Sequence, residues 1–282
     1  MDTKRVVLMS LGMAAAALPT VGYALSLPLR IRYEKAFYAD LPPHLRALKI
    51  LHISDLHGRY TNKMHRDIWP AIMSLDFDMA VITGDIILNK VAQIYPHMDG
   101  LRAMAKKAPS FYVDGNHEAK HYTEIAKLFE GIGIESLFNR RGNFAVGLND
   151  KSKSAVLSIA GFRDYYHLHK TRFKDALPLI EEISNSGDFH VILSHQPQIF
   201  NLLCKRRISG LVLAGHTHGG QVRLPFFPTL LAPGQGILPR YGEGWYNSGD
   251  LKMYISRGVG ATHFHLRLFN PPEVAVIELQ KG

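Results

Sequence analysis

The chain has 282 residues, 46% of them hydrophobic and 20% charged, enough to bury a full core as one large domain or two small ones. That balance excludes a disordered chain, a collagen-like chain and a disulfide scaffold. The single cysteine, Cys204, has no partner for an intramolecular disulfide and reads as a small buried residue. The formal net charge is +9, and seven basic residues (Lys4, Arg5, Arg30, Arg32, Lys35, Arg46, Lys49) face three acidic ones (Asp2, Glu34, Asp40) within the first 49 positions. Positive charge gathered beside one hydrophobic segment suits an anionic membrane surface or a phosphate-bearing substrate better than a nucleic-acid track. No nucleic-acid partner is expected.

In chain order, residues 6–29 come first and carry no charged side chain, a run long enough to cross a bilayer as a helix. Two readings stand. As a retained anchor, the run has more basic residues after it than before it, which puts the downstream domain on the cytoplasmic face. As a cleaved signal peptide, it has Lys4 and Arg5 as its charged start, residues 6–18 as its apolar core and Gly22-Tyr23-Ala24 as its small-residue cleavage site, with export as the consequence. The anchor is the preferred reading. The expected division is 1–29 as anchor or signal, 30–47 as a basic linker and 48–282 as the folded domain.

From residue 48 onward, short apolar runs alternate with amphipathic stretches. Strands are predicted over 48–54, 79–83, 111–114, 190–194 and 211–214, with helical spacing over 64–75, 92–107 and 122–130. This alternation argues for an α/β domain around a central sheet. Strands are also predicted over 143–148 and 155–162, with turns at Gly142-Asn143 and Asn149-Asp150. The last hundred residues grow richer in strands, over 253–256, 263–268 and 274–279.

Five strands share a feature: each is followed at once by a polar cluster. The clusters are Asp55-Leu56-His57, Gly84-Asp85, Gly115-Asn116-His117-Glu118, His195 and Gly215-His216-Thr217-His218. Ligands of open α/β sheets gather beyond the carboxyl ends of the strands, where these clusters would meet. Taken singly, each is explained by a turn, a cap or a structural histidine; together, always at strand ends, they are not. Two aspartates, an asparagine oxygen and imidazoles, with no thiolate, suit Mn²⁺, Fe or Zn²⁺. Seven donors are too many for one tetrahedral ion and suit two ions sharing a bridging carboxylate.

This five-block series resembles the calcineurin-like metallophosphoesterases, from about residue 48 to the C-terminus. Gly215-His216-Thr217-His218-Gly219-Gly220-Gln221 and the closing Phe269-Asn270-Pro271-Pro272-Glu273 segment look like a bacterial membrane-associated or exported branch. The resemblance implies a four-layer α-β-β-α sandwich, preceded here by an N-terminal hydrophobic helix, and two divalent ions, Mn²⁺ first with Fe or Zn²⁺ as alternatives. It implies Asp55, His57 and His218 on one ion, Asn116, His195 and His216 on the other, and Asp85 bridging both. His117 is implied to be catalytic, contacting the phosphate and protonating the leaving oxygen rather than binding metal. The implied activity is phosphoester hydrolysis, as a phosphodiesterase or pyrophosphatase, with a metal-bridging hydroxide attacking in line.

The substrate is less well marked. Arg59 and Arg223 are candidate phosphate-binding residues, with Arg140, Arg141 and Arg163 as further candidates. Residues 225–238 form an apolar, non-periodic stretch (Phe226, Phe227, Leu230, Leu231, Ile237, Leu238) that either packs as core or meets an acyl chain or bilayer. With the basic N-terminal flank, it points to a lipid-linked phosphate ester at the bacterial inner membrane. Membrane-associated UDP-2,3-diacylglucosamine pyrophosphatases of lipid A synthesis are the similar branch; their soluble type has Arg where this chain has His117. A broad-specificity membrane-associated phosphodiesterase is the alternative, and a non-catalytic metal-binding scaffold a more distant one. The sequence carries no reading of oligomeric state.

Overall fold

The computed structural model describes residues 28–58, 68–146, 155–164, 174–220, 229, 231–233, 235–260, 267 and 270–282. Among these residues the fold is mixed α/β with two six-stranded sheets. In chain order the strands are β1 (Arg30–Tyr38), β2 (Lys49–Ile53), β3 (Met79–Thr83), β4 (Ser110–Val113), β5 (Ile134–Ser136), β6 (Arg140–Val146) and β7 (Ala155–Phe162). There follow β8 (Phe189–Ser194), β9 (Ser209–Ala214), β10 (Leu231–Ala232), β11 (Gly236–Ile237), β12 (Gly244–Ser248), β13 (Leu251–Ile255) and β14 (Glu273–Lys281). The helices are α1 (Ile68–Met73), α2 (Met98–Lys107), α3 (Tyr122–Glu130), α4 (Leu177–Ser186) and α5 (Phe200–Leu203). One sheet runs β1-β14-β2-β3-β4-β5 and the other β12-β13-β9-β8-β7-β6, with β10 and β11 pairing by themselves.

Strand parity assigns the layers. On β2 and β3, Leu51, Ile53, Ala80 and Ile82 pack with Ile72 of α1, Leu101 of α2 and Ile125 of α3. Their alternates Ile50, Met79 and Val81 meet Leu157, Val191 and Leu213 of the facing sheet. The outer face of that sheet (Ala160, Ile192, Val212) is covered by Ile180 and Ile183 of α4 and Phe200 of α5. Helices, sheet, sheet and helices thus follow one another, and strands buried on both faces explain the unbroken apolar runs in the sequence.

Several expectations are corrected. The linker over 30–47 contributes β1, which pairs in parallel with β14 from Arg30↔Glu273 to Tyr38↔Lys281. The helix expected over 92–107 begins as an α-helix only at Met98, after two 3-10 turns. Pro96 lacks an N–H and biases the residue before it away from the helical region. Gly142 and Asn143, expected as a turn, lie inside β6 opposite Ile159 and Ser158. The N-terminal hydrophobic segment, the Asn149-Asp150 turn and most of the strand expected over 263–268 fall outside the described residues. Among the described residues, no helix is long and apolar enough to cross a membrane.

Candidate metal centre

β2, β3 and β4 run parallel in one sheet, and β8 and β9 run parallel in the other, so their carboxyl ends deliver all five clusters to one end of the sandwich. Backbone bonds join the loops: Asp55 N–H donates to Gly84 O at 3.0 Å, His57 N–H to Asp85 O at 2.9 Å, and Gly215 N–H to His195 O at 3.0 Å. Two glycines permit the close approach. A Cβ on Gly115 would lie 2.2 Å from Asp85 Oδ1, and one on Gly215 would lie 1.9 Å from Ser54 Oγ. Asp55, His57, Asp85, His216 and His218 all adopt positive φ, between 51° and 71°. Left-handed backbone at five non-glycine residues costs about 1–3 kcal/mol each, a concentration of strain expected where side-chain direction serves a site.

Among the described residues, two groups of donors converge: Asp55, His57, Asp85 and His218, and then Asp85, His195 and His216. Asp85 belongs to both. The amide oxygen of Asn116 joins the second group, 3.2 Å from His195 Nε2. All seven donors assigned from the resemblance therefore meet, in the two sets it implies. Asn116, among the seven donors, and the neighbouring His117 are half-buried and mark the mouth; the other six donors are buried.

The spacing of the donors tests whether cations fit. His57 Nε2 lies 3.0 Å from His218 Nε2, and His216 Nδ1 lies 3.1 Å from His195 Nε2. Asp55 Oδ1 is 3.3 Å from His218 Nε2, and Asp85 Oδ2 is 3.2 Å from His195 Nε2. For a metal–nitrogen bond of about 2.1 Å, two donors at right angles stand about 3.0 Å apart, so these contacts match the edges of a coordination shell. The electrostatics agree. Burial lowers His57 to about 3 and His218 well below the ordinary imidazole range, leaving both neutral, as ligands must be. Burial raises Asp55 to about 6. Burial likewise opposes charge on Asp85, but the imidazoles around it, His195 foremost, hold its carboxyl well below the usual range. A cation would take the place of the proton that His195 otherwise shares with Asp85.

Neighbouring groups orient the donors. His195 Nδ1–H donates to Thr83 O at 2.7 Å, which leaves Nε2 as the ligating atom. Ser54 Oγ–H donates to Asp55 Oδ2 at 2.5 Å, and His216 N–H reaches both Asp55 oxygens at 3.2 Å. Glu118, visible in the sequence only as part of a cluster, has a specific place. It is fully buried and accepts N–H bonds from Asp85 and Gly115 at 2.7 Å and from Ile87 at 3.0 Å. Asn270 Nδ2–H donates to His218 O at 2.5 Å, and Arg267 Nη2 lies 3.4 Å from His218 Nδ1. The Phe269–Glu273 signature was the sequence signal for Asn270; Arg267 had none.

His117 stands beside the ligands. Its Nδ1–H donates to Leu88 O at 2.5 Å, its Nε2 is 3.8 Å from Asp85 Oδ2, and its ring meets that of His57 edge-on at 4.9 Å. Arg59 and Arg223 lie outside the described residues. Arg140 pairs with Glu135, and Arg141 with Glu182 and Asp188. Arg163 pairs with Asp114 at 3.1 Å and stacks 3.5 Å over Tyr122.

The sequence profile described as "Calcineurin-like phosphoesterase" matches residues 48–220. The chain belongs to that family. This calcineurin-like phosphoesterase is 29% identical over 255 residues to "Uncharacterized metallophosphoesterase YkuE" of Bacillus subtilis (strain 168), covering 88% of this chain and 84% of the relative. It is 28% identical over 258 residues to "Phosphodiesterase YaeI" of Escherichia coli (strain K12), covering 88% and 87%. With "Transmembrane protein with metallophosphoesterase domain" of Bos taurus it shares 26% identity over 254 residues, 85% of this chain but 54% of the bovine protein. The family and its relatives make the chain a metal-dependent phosphoesterase, and the two donor groups are its candidate metal sites.

Proposed function

We propose that the phosphoesterase hydrolyses a phosphodiester or diphosphate bond of a lipid-linked substrate at the bacterial inner membrane, with two divalent ions, Mn²⁺ first, as cofactors. The observation that carries the dinuclear reading is the sharing of Asp85 between two converging donor groups. Asp55, His57 and His218 hold one ion, and Asn116, His195 and His216 the other. Divalent ions there supply Lewis acidity to the phosphoryl group and acidify water. Asp85 offsets the repulsion between the two positive charges. The bond from His117 Nδ1–H to Leu88 O fixes the ring with Nε2 on the side of the donor groups, 3.8 Å from Asp85 Oδ2, where it can hold the proton that the leaving oxygen takes up. Arg59 and Arg223 are proposed as phosphate-binding groups.

A diester is favoured over a monoester by the Escherichia coli relative, which is named a phosphodiesterase. Lipid linkage is supported by the uncharged run over 6–29, its basic flank and the exposed apolar pair Ile237 and Leu238. Residues 1–29 act as the anchor, with the domain on the cytoplasmic face. The test is hydrolysis by the full chain in detergent micelles with Mn²⁺, comparing UDP-2,3-diacylglucosamine with bis-p-nitrophenyl phosphate and using Asp85→Asn as control. Strong preference for the lipid nucleotide supports lipid A synthesis. Activity confined to the chromogenic diester favours the broad-specificity phosphodiesterase, and activity on neither, with metal bound, favours a non-catalytic scaffold.

A further inference from the structure

β1 runs antiparallel to β2 through their shared neighbour β14. Its first residue, Arg30, therefore sits at the same end of the sandwich as the metal ligands. Arg30 is in register with Glu273, and Arg30 N–H donates to Pro272 O at 2.9 Å. Glu273 N–H donates in turn to Gly258 O, and Gly258 packs so closely on Asp55 that a Cβ there would lie 2.6 Å from Asp55 Cβ. Two strand spacings, about 10 Å, separate Arg30 from the end of β2. On the other side, the uncharged run over 6–29 ends in sequence at Leu29, which packs partly buried on the core, and β1 begins at the next residue.

An apolar tip lies at that same end and edge. The β10–β11 hairpin packs against the His218–Gly220 turn, and Thr217, between two ligands, donates through Oγ1 to Gly242 O at 2.5 Å. Ile237, the last residue of the hairpin, and Leu238 just beyond it are 79% and 67% exposed, with exposed Arg240 two residues further on. Leu238 holds a left-handed backbone, φ 51°. The chain then enters β12, whose first residue Gly244 opposes Ile255 at the carboxyl end of β13. β12 is tied to β1 by Trp245 Nε1–H donating to Glu34 Oε2 at 2.9 Å. Tyr33, 71% exposed on β1, adds an aromatic group on the same face of the strand as Lys35.

Apolar side chains at a tip, flanked by arginine and an exposed tyrosine, are the composition that enters the headgroup region of a bilayer. We propose that the metal-centre end of the β1/β12 edge is a phospholipid-docking surface. Ile237 and Leu238 insert beside the point where the chain leaves the bilayer, and the mouth at Asn116 and His117 is held at the membrane surface. This orientation rests on the membrane attachment proposed above and adds to it which face of the domain meets lipid.

The test uses the full chain carrying Cys204→Ser, reconstituted into phosphatidylethanolamine/phosphatidylglycerol vesicles, with an environment-sensitive fluorophore on Leu238→Cys, Ile237→Cys or Asp40→Cys. Asp40 lies beyond the far end of β1, about 30 Å from Arg30 along the strand. Labels at 237 and 238 should shift to the blue and be quenched roughly two-fold or more by nitroxide lipids, while the label at 40 should do neither. Protein that floats with the vesicles while positions 237 and 238 stay as water-exposed as position 40 would overturn the docking surface and leave the attachment standing. Protein that does not float overturns both.

Discussion

Replacing Glu118 by Gln isolates the carboxylate that braces the shared ligand. Its Oε2 accepts from Asp85 N–H and Gly115 N–H, each at 2.7 Å, and its Oε1 accepts from Ile87 N–H at 3.0 Å. Burial, and then the charge of Asp85, raise this carboxyl, while the bonds from Ile87 and Gly115 pull the other way; three N–H donors on its two oxygens are the partners of the ionised form. An amide has one oxygen. Turned to keep Asp85 and Gly115, it sets an NH₂ against the Ile87 N–H; turned the other way, it fails two donors. Hydrogen bonds to a charged group contribute about 1.5–3 kcal/mol net. One lost bond and two weakened ones therefore put the expected destabilisation at about 2–4 kcal/mol. Because the bond to Asp85 N–H positions a ligand of both groups, Mn²⁺ affinity should also fall by about 10–100-fold. Urea unfolding in chelator reads the first effect, and calorimetric titration of Mn²⁺ into apoprotein the second. Parental values in both would refute the reasoning; lost stability with unchanged Mn²⁺ affinity would assign Glu118 to the fold rather than to the site.

Other perturbations separate the remaining roles. Asp85→Asn should abolish binding of both ions at Mn²⁺ concentrations where Asp55→Asn still retains one, as read by metal analysis after desalting; equal loss in the two variants would contradict the shared ligand. His117→Ala should keep two ions per chain while turnover falls by about 10²–10⁴-fold, and loss of metal would make His117 a ligand instead. His52 is fully buried between the sheets, with Nε2 2.8 Å from Thr83 Oγ1, and burial lowers it to about 3. The unfolded chain binds a proton near pH 6.5 that the folded chain refuses, so His52 removes stability as the pH falls from about 6.5 towards 3, by about 1.4 kcal/mol per unit. His52→Gln should flatten that slope in urea midpoints measured from pH 7 to 5, whereas parallel curves for the two proteins would rule it out.

The candidate metal ligands were legible because each follows closely on a buried, largely apolar strand. Met79–Thr83 followed by Gly84-Asp85 shows both the buried strand and its functional end in seven letters. β1 was missed for the opposite reason. In Arg30–Tyr38 the charges alternate with Ile31 and Tyr33 only as far as Glu34, Lys35 breaks the pattern, and the strand lies at a sheet edge with only its inward positions Ala36 and Tyr38 fully buried. Its basic residues had a ready explanation as a membrane flank, which hid the short alternation over 30–34. Glu118 could be seen but not assigned, since the N–H groups of Asp85 and Ile87 lie more than thirty residues away in sequence. The role of a buried acceptor is defined by donors that only the tertiary fold brings near. The positive φ angles at Asp55, His57, Asp85, His216 and His218 are uncommon even for Asp and His, the non-glycine types that tolerate them best with Asn, so local propensity did not announce them.

The pairing of β1 with β14 also sets a condition on how the protein is made. β1 is among the first parts of the domain to leave the ribosome, yet its sole neighbour in the sheet among the described residues is Glu273–Lys281. More than 230 residues must be translated between them. At roughly 5–20 residues per second, β1 waits on the order of ten seconds or longer with its backbone donors and acceptors unpaired. Arg30, Arg32, Glu34 and Lys35 punctuate that waiting strand with charge, the means by which sheet edges resist pairing with the wrong chain. The same residues that made it hard to recognise as a strand thus keep it soluble until its partner arrives.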